Sequence, residues 1–215
     1  YGTAIVGTVS GTSISFGSAA VFESAISNYV HVAYDSTNSK AVISYATSVK
    51  GKAIVGTVSG TSISFGSPAT FNNANTVWAP ITFDSNAGKI VIAFRDQGNS
   101  NYGTAVVGTV SSTSISFGSE TVFESARSDY IGIGFDSTAN KVIVGYSDDG
   151  NSAYVTAVVG TVSGTSISFG TPVVVASSNS EYINVTYNSA SNTTFVSWMD
   201  ITNSNYGSYA IGTVS

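Results

Sequence analysis

Three short segments concentrate the polar side chains of this sequence. They read RDQGNSNYG (95–103), SDDGNSAYV (147–155) and MDITNSNYG (199–207). Each sets an aspartate, an asparagine and a tyrosine at matching places: Asp96, Asn99 and Tyr102; Asp148, Asn151 and Tyr154; Asp200, Asn203 and Tyr206. A second aromatic set, Tyr29, Trp78, Tyr130 and Tyr182, recurs at regular intervals and is preceded in three cases by Asn28, Asp129 and Glu181. Rings beside carboxylates and amides suit carbohydrate. Sugar C–H faces stack on the rings, and hydroxyls exchange hydrogen bonds with planar polar groups. The same residues also have an architectural use, with Asp and Asn making turns and the rings filling a channel.

Catalytic chemistry is poorly supplied. The single histidine, His31, cannot build a multi-histidine metal cluster, and a hydrolase triad would have to depend on it. It falls where the other repeats carry Pro80, Gly132 and Asn184, which reads as core or channel filler. A carboxylate pair for glycoside hydrolysis could be drawn from Asp96, Asp148, Asp149 and Asp200. Their recurrence at one repeat position is explained by turn geometry alone, so the expected protein is not an enzyme. No cofactor is expected. Calcium at DDGNS (148–152) is the one cation alternative, since oxygen ligands cluster there without the spacing of an EF-hand loop. Acids at 35, 84 and 136 each precede a serine and read as turn initiators. With no cysteine, disulfide and thiolate chemistry are excluded.

Composition narrows the partners. Seven Lys and Arg face 12 Asp and Glu, so the basic stripe of a nucleic-acid binder is missing. No run approaches the roughly 18 apolar residues of a membrane span, so membrane insertion is not expected. Met199 is the only methionine, so Tyr1 is not a translation start and the chain reads as a processed product or a segment of a longer one. Of two glycosylation sequons, Asn184-Val-Thr lies in a strand and Asn192-Thr-Thr on a turn.

The elements that must position these residues follow from repetition. VGTVSGTSISFG stands at 6–17, 55–66 and 159–170, and with Ser112 for Gly at 107–118. Its start positions Val6, Val55, Val107 and Val159, with Ile211 opening a fifth copy, are spaced by 49, 52, 52 and 52 residues. Apolar residues alternate in runs such as YIGIGFDS (130–137) and KVIVGYSD (141–148), and Gly, Asn, Asp and Ser break them. The chain is therefore all-β, with four antiparallel strands per repeat, here called a to d. Short polar links join a to b, b to c and c to d, and a longer connector leads from d to the next a. Those are the connections of a β-propeller of four repeats of about 52 residues, with strand a innermost; a β-prism-like repeat is the alternative. The domain is single, 1–215, with blades at about 29–67, 78–119, 130–171 and 182–215, the last completed by 1–18. Residues 1–10 and 206–215 match, which leaves one strand c in surplus. That surplus implies either a longer array or self-association through terminal strands.

The repeated pattern VGTVSGTSISFGS…VFESA…Y…FDS…K resembles the roughly 50-residue propeller repeats of extracellular and viral tail-fibre proteins, especially those of marine bacteria and their phages. The resemblance implies an extracellular or virion-surface binding or scaffold module. The residues add glycans or cell-surface polysaccharide as the expected partner, bound on the b–c loop face, with a structural subunit of a filament or fibre as the alternative. The DQG and DDG segments also resemble the Asp-box of sialidase-type propellers. The tryptophan that should follow is missing, and two arginines, Arg95 and Arg127, cannot assemble a three-arginine clamp.

Overall fold

The structure, a computed structural model, describes residues 1–214. Alternating Val, Ile and small residues favour extended chain over helix, and no α-helix occurs among the described residues. The chain is all-β and its strands pair antiparallel.

A partial unit comes first: β1 (Gly2–Ala4), β2 (Gly7–Ser10), β3 (Ser13–Phe16) and β4 (Ala20–Glu23). The next unit holds β5 (Asn28–Asp35), β6 (Lys40–Ala46), β7 (Gly51–Ser59), β8 (Ser62–Phe65) and β9 (Ala69–Asn72). Then follow β10 (Thr76–Val77), β11 (Ile81–Asp84), β12 (Lys89–Asp96), β13 (Tyr102–Ser111), β14 (Ser114–Phe117) and β15 (Thr121–Asp136). The remainder is β16 (Lys141–Asp148), β17 (Tyr154–Ser163), β18 (Ser166–Phe169), β19 (Val173–Asn188), β20 (Thr193–Asp200) and β21 (Tyr206–Gly212).

The three complete units are a–b–c–d meanders. In the third, Ile133 faces Val144, Ile143 faces Val159, and Val162 faces Ile167 across successive strand pairs. Strand a is an edge strand, which explains how Pro80 is accepted between β10 and β11. The a–b turns are capped as expected: Asp136 Oδ1 accepts from the backbone N–H groups of Thr138 and Ala139, both at 2.8 Å. Asp84 does the same with Asn86 and Ala87, and Asp35 accepts from both the backbone N–H and the side-chain amide of Asn38. Lys40, Lys89 and Lys141, just past these turns, donate to Thr57, Thr109 and Thr161 of the GTVS segments at 2.8 to 2.9 Å.

Consecutive units pack face to face. Because side chains alternate along a strand, β12 sends Ile90, Ile92 and Phe94 back against Val42 and Val55 of the preceding unit. It sends Val91 and Ala93 forward against Ile131 and Val142 of the next. Phe71–Phe117 and Phe123–Phe169 ring pairs, at 5.8 and 5.6 Å, bridge successive units on the outer side. The glycine of SFG serves this contact. A Cβ on Gly66 or Gly118 would lie 1.8 or 1.9 Å from the carbonyl oxygen of Thr113 or Thr165 in the next unit's c–d turn.

The structure differs from the sequence expectation in two places. The long d–a connector is itself strand. After a break at Gly118-Ser119, Thr121–Arg127 resumes pairing with strand c, with Gly103 opposite Glu124 and Ala105 opposite Thr121. In β15 and β19 this outer strand runs straight into strand a of the next unit. It escapes notice because only Val122, Phe123 and Ala126 of Thr121–Arg127 are apolar, and of these seven residues just Phe123 is buried. Second, residues 1–18 do not complete the last unit. β1 pairs with β4 and β2 with β3, while β21 pairs with β20 alone. The strands form no closed sheet.

Candidate functional site

Both predicted residue sets lie at one end of the sheets, because the start of strand a pairs with the end of strand b. Asp129 faces Ser147, Val77 faces Arg95, and Glu181 faces Met199. The b–c corners are built to one plan. Asp96 Oδ1 accepts from Gly98 N–H at 2.8 Å and from Asn72 Nδ2 at 3.1 Å. Asp148 Oδ1 accepts from Gly150 N–H at 3.0 Å. Asp200 Oδ1 accepts from the N–H groups of Thr202 and Asn203 at 3.0 and 3.2 Å and from Thr202 Oγ1 at 2.6 Å. These bonds, the Thr202 hydroxyl first, hold the Asp200 carboxyl below its ordinary range. Burial, followed by the nearby Glu124, pushes that of Asp148 up.

Two left-handed residues close each corner: Ser100 and Asn101, Ser152 and Ala153, Ser204 and Asn205. Asn151 and Asn203 end single 3-10 turns, and Asn99, Asn151 and Asn203 are all exposed. Tyr102, Tyr154 and Tyr206 open the c strands, the first two half-buried and the third exposed. The three aspartates are thus occupied in shaping turns, and the neighbouring amides remain open to solvent.

The four ring residues at the start of strand a behave otherwise. Tyr29, Trp78, Tyr130 and Tyr182 all have positive φ, between 50° and 54°. That left-handed geometry disfavours bulky side chains. In three of the four repeats it falls inside a break in the a–b register, as between Asp129 and Gly132. Such bulges re-aim a side chain, and here they bring the rings into one row. Tyr29–Trp78, Trp78–Tyr130 and Tyr130–Tyr182 centroids are 5.0, 4.8 and 5.3 Å apart.

A charged cluster flanks the row. Asp129 accepts from Arg95, from Arg127 Nε at 2.8 Å and from Trp78 Nε1 at 3.3 Å. Arg127 Nε lies 3.3 Å from Asp149 as well. Burial, then repulsion from Arg127, lowers the Arg95 pKa, and its Nε is buried without a partner. Burial, then a hydrogen bond to Glu181, pushes the Tyr130 hydroxyl up to about 12. The Arg95–Asp129–Arg127 constellation was not singled out from the sequence. The one available signal was that the chain's two arginines both fall at this end.

No group of three or more His, Asp or Glu side chains among the described residues is arranged to hold a metal ion. The DDGNS acids have other engagements, Asp148 with Gly150 and Asp149 with Arg127. His31 is exposed on β5 and lines an open cleft with Ala4, Phe22 and Val32. No family model matches the chain, and no curated protein matches it by sequence.

Proposed function

We propose that this chain is a stretch of β-propeller blades whose b–c loop end is a non-catalytic carbohydrate-recognition surface of an extracellular or virion-surface protein. The observation that carries the reading is the row Tyr29–Trp78–Tyr130–Tyr182, held left-handed in four successive repeats. A bulky residue there costs of the order of 1–3 kcal/mol, and such cost persists where a site needs a fixed geometry. A continuous ridge of rings, bordered by the exposed amides of Asn99, Asn151 and Asn203, offers apolar faces and hydrogen-bonding groups side by side. The Arg95, Arg127, Asp129 and Asp149 charges balance one another, which favours neutral over acidic sugars. Repetition of one shallow subsite favours a polymer, since linked contacts raise avidity. The propeller reading rests on the meander order, the edge position of strand a and face-to-face packing of the units.

The test is a screen of neutral and acidic polysaccharides, followed by titration of the best ligand into Tyr182→Ala. Tyr182 is 59% exposed, so its loss should leave the melting temperature unchanged and weaken binding by about tenfold, the cost of one stacking contact. Equal binding by the variant would overturn the assignment. Release of new reducing ends from the ligand would overturn the non-catalytic reading.

A further inference from the structure

One junction between units departs from the repeat at three places that meet. Trp78 stands where the other repeats have Tyr29, Tyr130 and Tyr182. Arg95 stands where they have Ala46, Ser147 and Met199, and Asp129 where they have Asn28, Val77 and Glu181. Trp78 and Arg95 belong to one unit and Asp129 to the next. Across the junction, Asp129 Oδ1 accepts from Arg95 and, at 3.3 Å, from Trp78 Nε1, while Oδ2 accepts from Arg127 Nε at 2.8 Å. Asp129 is buried. Its carboxylate therefore works where water competes little and charge-assisted bonds count for more.

Stability does not account for this cluster. A buried ion pair is often no better than the apolar or small residues that could replace it. The flanking junctions fill the same two places with Ala46 and Val77 or with Ser147 and Glu181. Arg95 is moreover left with its Nε buried and unpartnered. What the cluster does is reach a ring. Trp78 and Tyr130 are the closest and most nearly parallel pair of the row, with centroids 4.8 Å apart and planes at 38°, against 54° and 59° for the pairs on either side. One unit earlier, Val77 has no acceptor to offer the ring of Tyr29. We infer that Asp129 is a positioning residue. Its carboxylate, anchored by Arg95 and Arg127, holds the Trp78 indole by its N–H and makes Trp78–Tyr130 the fixed platform on which a sugar ring seats. The seating of a sugar rests on the carbohydrate reading; the hold on the indole does not.

Trp198→Phe, which copies Phe94 of an earlier unit, leaves Trp78 as the only indole. In that parent, Arg95→Ala/Asp129→Val reproduces the Ala46–Val77 junction and removes the acceptor without stranding a buried cation. Arg95→Ala/Asp129→Asn keeps an acceptor oxygen. Without ligand, NMR reads exchange of the indole N–H, and fluorescence anisotropy decay reads motion of the ring. The parent and the Asn variant are expected to show a slowly exchanging proton and a ring that moves only with the protein. The Val variant should show fast exchange and independent ring motion; Asp129→Ala takes its place if it melts early. The polysaccharide found in the screen should then bind the Val variant about tenfold more weakly, the loss expected of one charge-assisted hydrogen bond, and the Asn variant as tightly as the parent. An indole equally ordered in the Val variant would overturn the inference, as would a released indole with unchanged binding. A parent that binds no polysaccharide would instead overturn the recognition reading, and the indole signals would still decide whether Asp129 holds Trp78.

Discussion

Residues 6–17 and 107–118 differ in one letter and have opposite surroundings. In the inner copy Val110 and Ile115 are 6% and 5% exposed; in the first copy Val9 and Ile14 are 70% and 55% exposed. Both copies form the same hairpin in the same register, Val9 opposite Ile14 and Val110 opposite Ile115. Local sequence therefore sets the strands and the turn, and the neighbouring unit sets the burial. This is the behaviour of a stacked repeat, in which each unit buries its face only against the next.

The comparison can be broken most sharply by truncating matched residues. Ile115→Ala should destabilise the chain by about 2–5 kcal/mol, the usual range for emptying a packed core site. Ile14→Ala should change it by less than about 0.5 kcal/mol, as exposed substitutions do. Urea unfolding of the two variants reads both values, and equal losses would remove the distinction.

The SFG glycines give a second pair. An added methyl on Gly118 meets the Thr165 carbonyl at 1.9 Å, whereas on Gly170 the nearest atom is 3.8 Å away. Gly118→Ala is expected to cost about 1–3 kcal/mol through overpacking, and Gly170→Ala to be close to neutral, by thermal melting.

The smallest effect concerns acid. Lys52 donates to Glu23 at 2.9 Å across the first unit boundary, where the inner units have Thr104 and Thr156. That bond, the largest influence, lowers the Glu23 pKa from 4.5. A lowered folded-state pKa contributes stability above the ordinary value, lost as pH falls through the depressed one. Lys52→Thr should therefore reduce stability at neutral pH by no more than about 0.5 kcal/mol. It should also flatten the decline below pH 4.5, measured by melting across an acid series.

Much of this was legible in the sequence because it is local. The Asp-Ser turns, the c–d hairpin and the alternation of strand b each depend on a few adjacent residues, and all appear as expected. The outer strand 121–127 was hidden because a solvated edge strand needs few apolar residues. The failure of residues 1–18 to join β21 was hidden too, since pairing between chain ends depends on where whole units lie. At the site, recurrence marked Tyr29, Trp78, Tyr130 and Tyr182, but nothing in an eight-residue strand announces a left-handed bulge at its second position. The Arg95–Asp129 contact joins residues of different units and needed the packing to be seen.

The most direct test of the stacking account is native-state hydrogen exchange on the matched hairpins. The amides of 107–118 should exchange only through opening close to global unfolding. Those of 6–17, in a two-stranded hairpin without a covering neighbour, should exchange orders of magnitude faster. Equal protection in both segments would show that the twelve-residue sequence stabilises itself, and would contradict the claim that neighbours decide.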